Sequence, residues 1–306
     1  MQERIAIIDL GTNTFHLLIA EKVKEQYTFI YRERLAVRLG QRGINEGIIQ
    51  PDAIERAVRA LSSFKTTIDQ YDATAIYAFG TSALRNAKNG DEVVQIFKEK
   101  AGITVNIISG DREAELIFMG VRSGLALGKE YSLVMDIGGG SVEFIIGNET
   151  DIVWKQSFEI GGQRLLELFH RTDPIDQQEI DELNQYFSSQ LPALFEALNQ
   201  WKPKTLIGSS GTFDTLSDIH SIKHDLNISA ENIETPLTIQ GFYDIYEELL
   251  IKNRQDRMMI PGMIEMRVDM IVVACCLINF LLDKYSFKQI RVSTYALKEG
   301  ILASLK

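Results

Sequence analysis

Asp9-Leu10-Gly11-Thr12-Asn13-Thr14 lies between two apolar runs, Arg4 to Leu10 and Phe15 to Glu21, and the arrangement returns as Asp136-Ile137-Gly138-Gly139-Gly140-Ser141 between Leu133 to Ile137 and Val142 to Ile146. One Asp-x-Gly between strands is an ordinary turn. Two copies in matching strand-turn-strand positions point to an internal duplication. Outward from the first copy, Tyr27 to Val37 alternates as a third strand, and Pro51 sits where a first helical residue would. Ile54, Val58, Leu61, Phe64 and Ile68 then repeat at helical spacing. Ala73 to Phe79 reads as a buried strand, Asp91 to Lys100 as a helix, Thr104 to Ile108 as a strand and Asp111 to Leu127 as a helix.

Outward from the second copy the order repeats with additions. Ile152 to Phe158 is the third strand, and Gly161-Gly162 opens a helix through Leu168. Extra helical sequence follows from Asp176 to Trp201, then a strand at Thr205 to Ile207, helices through Leu282, a strand at Gln289 to Val292 and a last helix from Tyr295 to Leu305. The pattern predicts an α/β protein of two related domains, 1–128 and 129–306, the second an elaborated copy of the first.

The turns suggest phosphate chemistry. A Gly, Thr, Ser and Asn turn between strands can aim backbone N–H groups and hydroxyls at one anion, here from Gly11, Thr12, Asn13 and Thr14 and from Gly138, Gly139, Gly140 and Ser141. The leading carboxylates Asp9 and Asp136 would repel phosphate unless a hard cation such as Mg²⁺ stood between. Two further Gly-Ser-Thr stretches, Gly80 to Arg85 and Gly208 to Phe213, are expected as loops at corresponding strand ends, where ligand crevices of α/β sheets gather.

With 306 residues, 45% hydrophobic and 24% charged, the chain has the composition of a soluble globular protein. Its net charge of -10, without a Lys and Arg cluster, argues against a nucleic-acid surface. Met1-Gln2-Glu3-Arg4 leads into a strand with no signal-peptide pattern, and the apolar stretch Met270 to Leu282 is short of a membrane span. A cytoplasmic protein without membrane partners is the expectation. Cys275 and Cys276 read as buried small residues, and His16, His170, His220 and His224 form no metal motif. Neither a Gly-x-Ser-x-Gly elbow nor a P-loop is present.

The strings IAIIDLGTNTFHLLIAE, FGTSALRNAKN, IISGDREAELIFMGV, LVMDIGGGSVEFIIG, IGSSGTFDTL, MIPGMIEMRVDMI and VSTYALKEGIL resemble, in order, the signature segments of the exopolyphosphatase and guanosine pentaphosphate phosphohydrolase family. The resemblance implies two duplicated ribonuclease-H-like domains of the actin, sugar-kinase and heat-shock-chaperone superfamily, with an interdomain cleft. It also implies Glu113 as the base that activates water, with Arg112 replacing the first of the usual paired glutamates, and Arg85 as a phosphate-neutralising arginine. Asp136 and Glu143, with Asp9 from the first domain, become the expected holders of Mg²⁺ or Mn²⁺. Thr81, Ser82, Ser209, Gly211, Thr212 and Arg267 join the expected phosphate contacts. Inorganic polyphosphate and guanosine penta- or tetraphosphate are the implied ligands, and a homodimer is left open. An ATP-binding kinase or ATPase of the same superfamily, and a guanosine tetraphosphate sensor, are the competing readings.

Overall fold

The computed structural model describes residues 3–24, 26–229 and 231–305; the outermost ends of the two expected domains lie outside these. Two compact units emerge. One comprises the chain up to Glu113 and again from Ile301, and the other is Ala114–Gly300.

The first unit begins with the strands β1 (Arg4–Leu10), β2 (Thr14–Val23) and β3 (Gln26–Ala36) and the helix α1 (Pro51–Gln70). It continues through β4 (Ala75–Gly80), α2 (Ser82–Asn86), α3 (Gly90–Ala101) and β5 (Val105–Ile107). Its five-stranded sheet has the order β3-β2-β1-β4-β5, with β1 to β3 antiparallel and β1, β4 and β5 parallel. Successive strand side chains alternate in direction. Ala6, Ile8 and Leu10 of β1, with Phe15, Leu17 and Ile19 of β2, therefore meet Ala53, Ala57, Leu61 and Phe64 of α1 in one core. Asp9 belongs to the opposite face of the sheet.

The helix α4 (Gly110–Gly124) runs across the division between the units. In the second unit, β6 (Ser132–Ile137), β7 (Val142–Gly147) and β8 (Ile152–Phe158) precede α5 (Gly162–Phe169), α6 (Gln177–Gln190) and α7 (Pro192–Trp201). Next come β9 (Thr205–Ser209), α8 (Ser210–Lys223), β10 (Glu234–Thr235), α9 (Ile239–Ile251) and α10 (Arg254–Met258). The chain closes with α11 (Ile271–Lys284), β11 (Gln289–Ser293) and α12 (Leu297–Ser304). The sheet order is β10-β11-β9-β6-β7-β8. Without the short β10, this is the first sheet again, strand for strand and with the same parallel and antiparallel pairings. The fold is two duplicated ribonuclease-H-like domains: the repeated turn predicts the duplication, and the family resemblance implies the ribonuclease-H-like form.

The expected helical stretch from Asp176 to Trp201 is two helices, because Pro192 cannot continue the ladder of α6 and starts α7 instead. The region up to Leu282 divides where Thr238 and Asn253 cap α9 and α10 with their side-chain oxygens. Cys275 and Cys276 lie free and buried in α11, where loss of solvation raises both thiols, Cys276 to about 12. Among the described residues no helix is long and apolar enough to cross a membrane.

Candidate functional site

The two Asp-x-Gly turns have the same construction. Gly11 N–H donates to the Thr14 carbonyl at 3.2 Å, and Gly138 N–H donates to the Ser141 carbonyl at 3.0 Å. A Cβ would lie 2.9 Å from the Thr14 oxygen at Gly11 and 3.0 Å from the Ser141 oxygen at Gly138, so both positions favour glycine. The chain leaving the third strand braces each turn. In the first unit, Val37 and Arg38 donate to the Asn13 carbonyl at 2.9 and 2.8 Å, and Gly40 to the Thr12 carbonyl at 2.9 Å. In the second, Gly161, Gly162 and Gln163 donate to the carbonyls of Gly140, Gly138 and Gly139 at 3.2, 2.9 and 2.8 Å. The turn carbonyls are thus engaged. The amides of Thr12, Gly139 and Gly140 donate to no acceptor among the described residues, which suits them to an anion.

Around the first turn, Thr12, Asn13 and Thr14 are buried, and Thr81 donates its N–H to the Leu10 carbonyl at 3.4 Å. The stretch expected as a loop after β4 is in part the short helix α2, formed because Ser82-Ala83-Leu84-Arg85 contains good helix formers and Asn86 Nδ2 bonds back to the Ser82 carbonyl at 2.9 Å. That turn of helix brings Arg85 toward the start of α4. Its Nη1 donates to Glu113 Oε2 at 2.8 Å and to the Ile108 carbonyl at 3.2 Å. Glu113 is buried, its N–H bonded to the Ser109 carbonyl at 2.9 Å. It is an enclosed carboxylate in an ion pair rather than a solvated first-turn residue.

The second turn sits beside a different set. Asp136 is directly opposite Glu143 in the β6–β7 register, Glu143 opposite Ser157 on β8, and Asp136 level with Ser209 on β9. In-register neighbours share a face, so Ser157, Glu143, Asp136 and Ser209 form one row. Ser157 Oγ donates to Glu143 Oε1 at 2.6 Å and Ser209 Oγ to Asp136 Oδ2 at 2.9 Å. Both carboxylates are buried, which excludes a solvated reading of Glu143. Desolvation raises the Asp136 pKa, and the Ser209 and Ser210 hydroxyls, Lys298 and Arg267 partly oppose that rise.

The second stretch expected as a loop is instead a strand-to-helix junction. β9 extends to Ser209, and Ser210 begins α8 at φ 70°, a left-handed conformation that is strained for a residue with a Cβ. Helical periodicity prevails because Phe213, Leu216 and Ile219 all enter the core. Gly211 leaves room for Arg267, whose Nη2 would be 2.1 Å from a Cβ there. Thr212 is buried on the same turn.

Two residues that the sequence reading passed over belong to this neighbourhood. Asp214 has a buried Oδ1 without a hydrogen-bond partner, and burial pushes its pKa up to about 7 against the pull of Lys298 and Arg267. Lys298 acts on both Asp136 and Asp214. Both residues lie inside the quoted signature strings, but only their half-buried setting distinguishes them from surface charges. The His220 and His224 rings meet at a tilt with centroids 4.5 Å apart, and no group of three or more His, Cys, Asp or Glu suited to a metal occurs among the described residues. Two adjacent carboxylates fit a hard, hydrated cation better than zinc, which takes at least three protein ligands.

Comparison with known proteins gives the chain's family. The model of the Ppx/GppA phosphatase family matches residues 18–306. A putative exopolyphosphatase of Haemophilus influenzae is 29% identical over 99% of this chain and 91% of its own length. A guanosine-5'-triphosphate,3'-diphosphate pyrophosphatase of Pseudoalteromonas translucida is 28% identical over 98% of this chain, which spans 59% of that protein. The crystal structure of an exopolyphosphatase from Cytophaga hutchinsonii superposes with a TM-score of 0.96 at 44% identity, covering 99% of this chain and 97% of that one.

Proposed function

Because the chain belongs to the Ppx/GppA phosphatase family, we propose that it is an exopolyphosphatase that releases the terminal phosphoryl group of inorganic polyphosphate as orthophosphate. The observation that carries this reading is the buried Glu113, held by Arg85 at 2.8 Å in the unit that also presents the Asp9 to Thr14 turn. In the proposed reaction a water oxygen attacks the terminal phosphorus while Glu113 accepts its proton. The bridging P–O bond breaks, and the shortened chain leaves with that oxygen. Arg85 orients the carboxylate and offsets charge on the equatorial oxygens. Turn amides and the hydroxyls of Thr12, Thr14, Thr81, Ser82 and Ser141 hold phosphoryl oxygens, as do Ser209, Gly211, Thr212 and Arg267 in the second unit.

In the second unit Asp136 and Glu143 are the residues we assign to Mg²⁺ or Mn²⁺, and Asp9 is the corresponding carboxylate of the first unit; the cation, when bound, would offset phosphate charge. Guanosine pentaphosphate is a second candidate substrate, because the Pseudoalteromonas relative carries that name.

Orthophosphate release from polyphosphate, guanosine pentaphosphate and ATP, assayed side by side with Mg²⁺ and after chelation, tests the proposal. Metal-dependent release from polyphosphate is expected to exceed release from ATP. Preferential ATP turnover would replace the exopolyphosphatase reading with a superfamily ATPase.

A further inference from the structure

β3 is the edge strand of the first sheet, and its side chains sort by charge between the two faces. Arg34 is opposite His16 on β2, and His16 is opposite Asp9 on β1, so these three residues form one row on the face that carries Asp9. Arg32, two residues earlier, is on that face too, its guanidinium 4.4 Å from the Phe29 ring centroid. Glu33 points the other way, where it accepts from Tyr31 Oη at 3.2 Å.

Where β3 ends, Arg38 lies directly against the phosphate turn. Its N–H donates to the Asn13 carbonyl at 2.8 Å and its φ is 52°, a left-handed residue between the braces supplied by Val37 and Gly40. The side chains of Arg34 and Arg38 are exposed and have no ion pair or hydrogen bond among the described residues. Nearby Arg42 and Arg56, in contrast, share Asp52 at 2.6 and 2.7 Å. Free guanidiniums beside an anion turn are a local exception in a protein whose net charge is -10.

We infer that Arg38, Arg34 and Arg32 form a track along the β3 edge that receives the distal phosphoryl groups of a linear polyphosphate whose end occupies the Asp9 to Thr14 turn. The inference rests on the phosphoanhydride-hydrolase reading and selects among its substrates. Arg34 stands about 10 Å from Asp9 across two strands, and Arg38 follows just beyond the strand end at Ala36. A ligand must carry several linked phosphoryl groups to reach the turn and Arg34 together. Guanidiniums suit such a chain because each can fork onto two oxygens of one phosphoryl group. Separated, unpaired cations also raise the local concentration of a long polyanion more than that of a short one.

The test compares kcat/KM for long-chain polyphosphate and for tripolyphosphate in the wild type, in an Arg34→Gln/Arg38→Asn double variant and in Arg59→Gln, with binding of fluorescently labelled long-chain polyphosphate measured in parallel. Asn is used at 38 because it tolerates the left-handed conformation. Arg59 is an exposed arginine on α1, outside the track, and controls for net charge. The long-to-short ratio should fall about tenfold or more in the double variant, with a matching loss of binding that added salt mimics in the wild type. It should stay unchanged in Arg59→Gln and be restored only in part by Arg34→Lys/Arg38→Lys, because an ammonium keeps the charge but cannot fork onto two oxygens. An unchanged ratio in the double variant, an equal fall in Arg59→Gln, or turnover of guanosine pentaphosphate in preference to long polyphosphate would overturn the track. Polyphosphate that binds through these arginines without being hydrolysed would support the track and sink the hydrolase reading, so the two failures are distinguishable.

Discussion

The two halves use one backbone device with two different sets of side chains. Each has an Asp-x-Gly turn closed by the same glycine bond and braced by the chain that leaves the third strand. Across the sheet from the leading aspartate, however, the rows differ. In the first unit Asp9 stands between His16 and Phe79, with Arg34 beyond His16. In the second, Asp136 stands between Glu143 and Ser209, with Ser157 beyond Glu143. The first row brings one cation, Arg34, toward an anion turn, whereas the second concentrates buried carboxylates and gives each a hydroxyl donor. The backbone frame is the same in both units, and the residues at register-matched positions give one row an exposed arginine and the other a pair of buried carboxylates.

The largest expected effect is in the first unit. If Glu113 supplies the proton acceptor, Glu113→Gln should lower single-turnover hydrolysis by roughly 10² to 10⁴ while polyphosphate binding persists. Arg85→Ala, which leaves the buried Glu113 without its cation, should cost about 1.5 to 3 kcal/mol in kcat/KM. A Glu113→Gln enzyme near wild-type rate would end the division of labour, leaving Glu143 or Asp136 as the next candidate base.

A smaller effect tests the second row. Ser157→Ala removes the hydroxyl that orients Glu143 and should weaken Mg²⁺ activation by about 10- to 100-fold, the usual consequence of losing a partner of a ligating carboxylate. Metal titrations of activity would show this as a rightward shift with the saturated rate largely kept. An unchanged titration in Ser157→Ala would place Glu143 outside the metal site.

The smallest effect concerns Asp214, for which the first unit has no counterpart in its phosphate turn. Its folded pKa of about 7 exceeds the unfolded value of about 3.9, so the folded protein holds the extra proton and stability declines as pH rises between these values. Asp214→Asn should therefore melt close to wild type near pH 4 and increasingly above it toward pH 7, with the difference constant at higher pH. Melting curves of the metal-free protein across that range would show it. A difference independent of pH would place the Asp214 carboxyl in a less buried setting.

Much of this organisation is legible in residue order. Pro51 marks the start of α1, the apolar run in Arg4–Leu10 marks a buried strand, and the repeated Asp-x-Gly marks the duplication. The expected roles of Glu113 and Arg85 come from resemblance, because no local pattern shows a glutamate and an arginine 28 positions apart in an ion pair. Asp214, Lys298 and Ser157 escape notice because a charged or hydroxyl residue in a helix or strand looks the same whether its face meets water or core. The stretches at Gly80 and Gly208 resemble loops in composition, yet both enter helices. At the second, Phe213 and Leu216 gain more from burial than the strained Ser210 costs.

What the sequence alone determined is therefore local and periodic: where strands and helices run, where they turn, and that the run occurs twice. Tertiary structure decided which side chains meet. A strand's neighbours are set by burying whole sheet faces and by sterically allowed crossovers, and only the resulting register places Asp136 against Glu143 and Ser209. Register also decides charge state. Removing Asp136 and Asp214 from water, a consequence of how distant segments stack, sets how strongly each holds its proton.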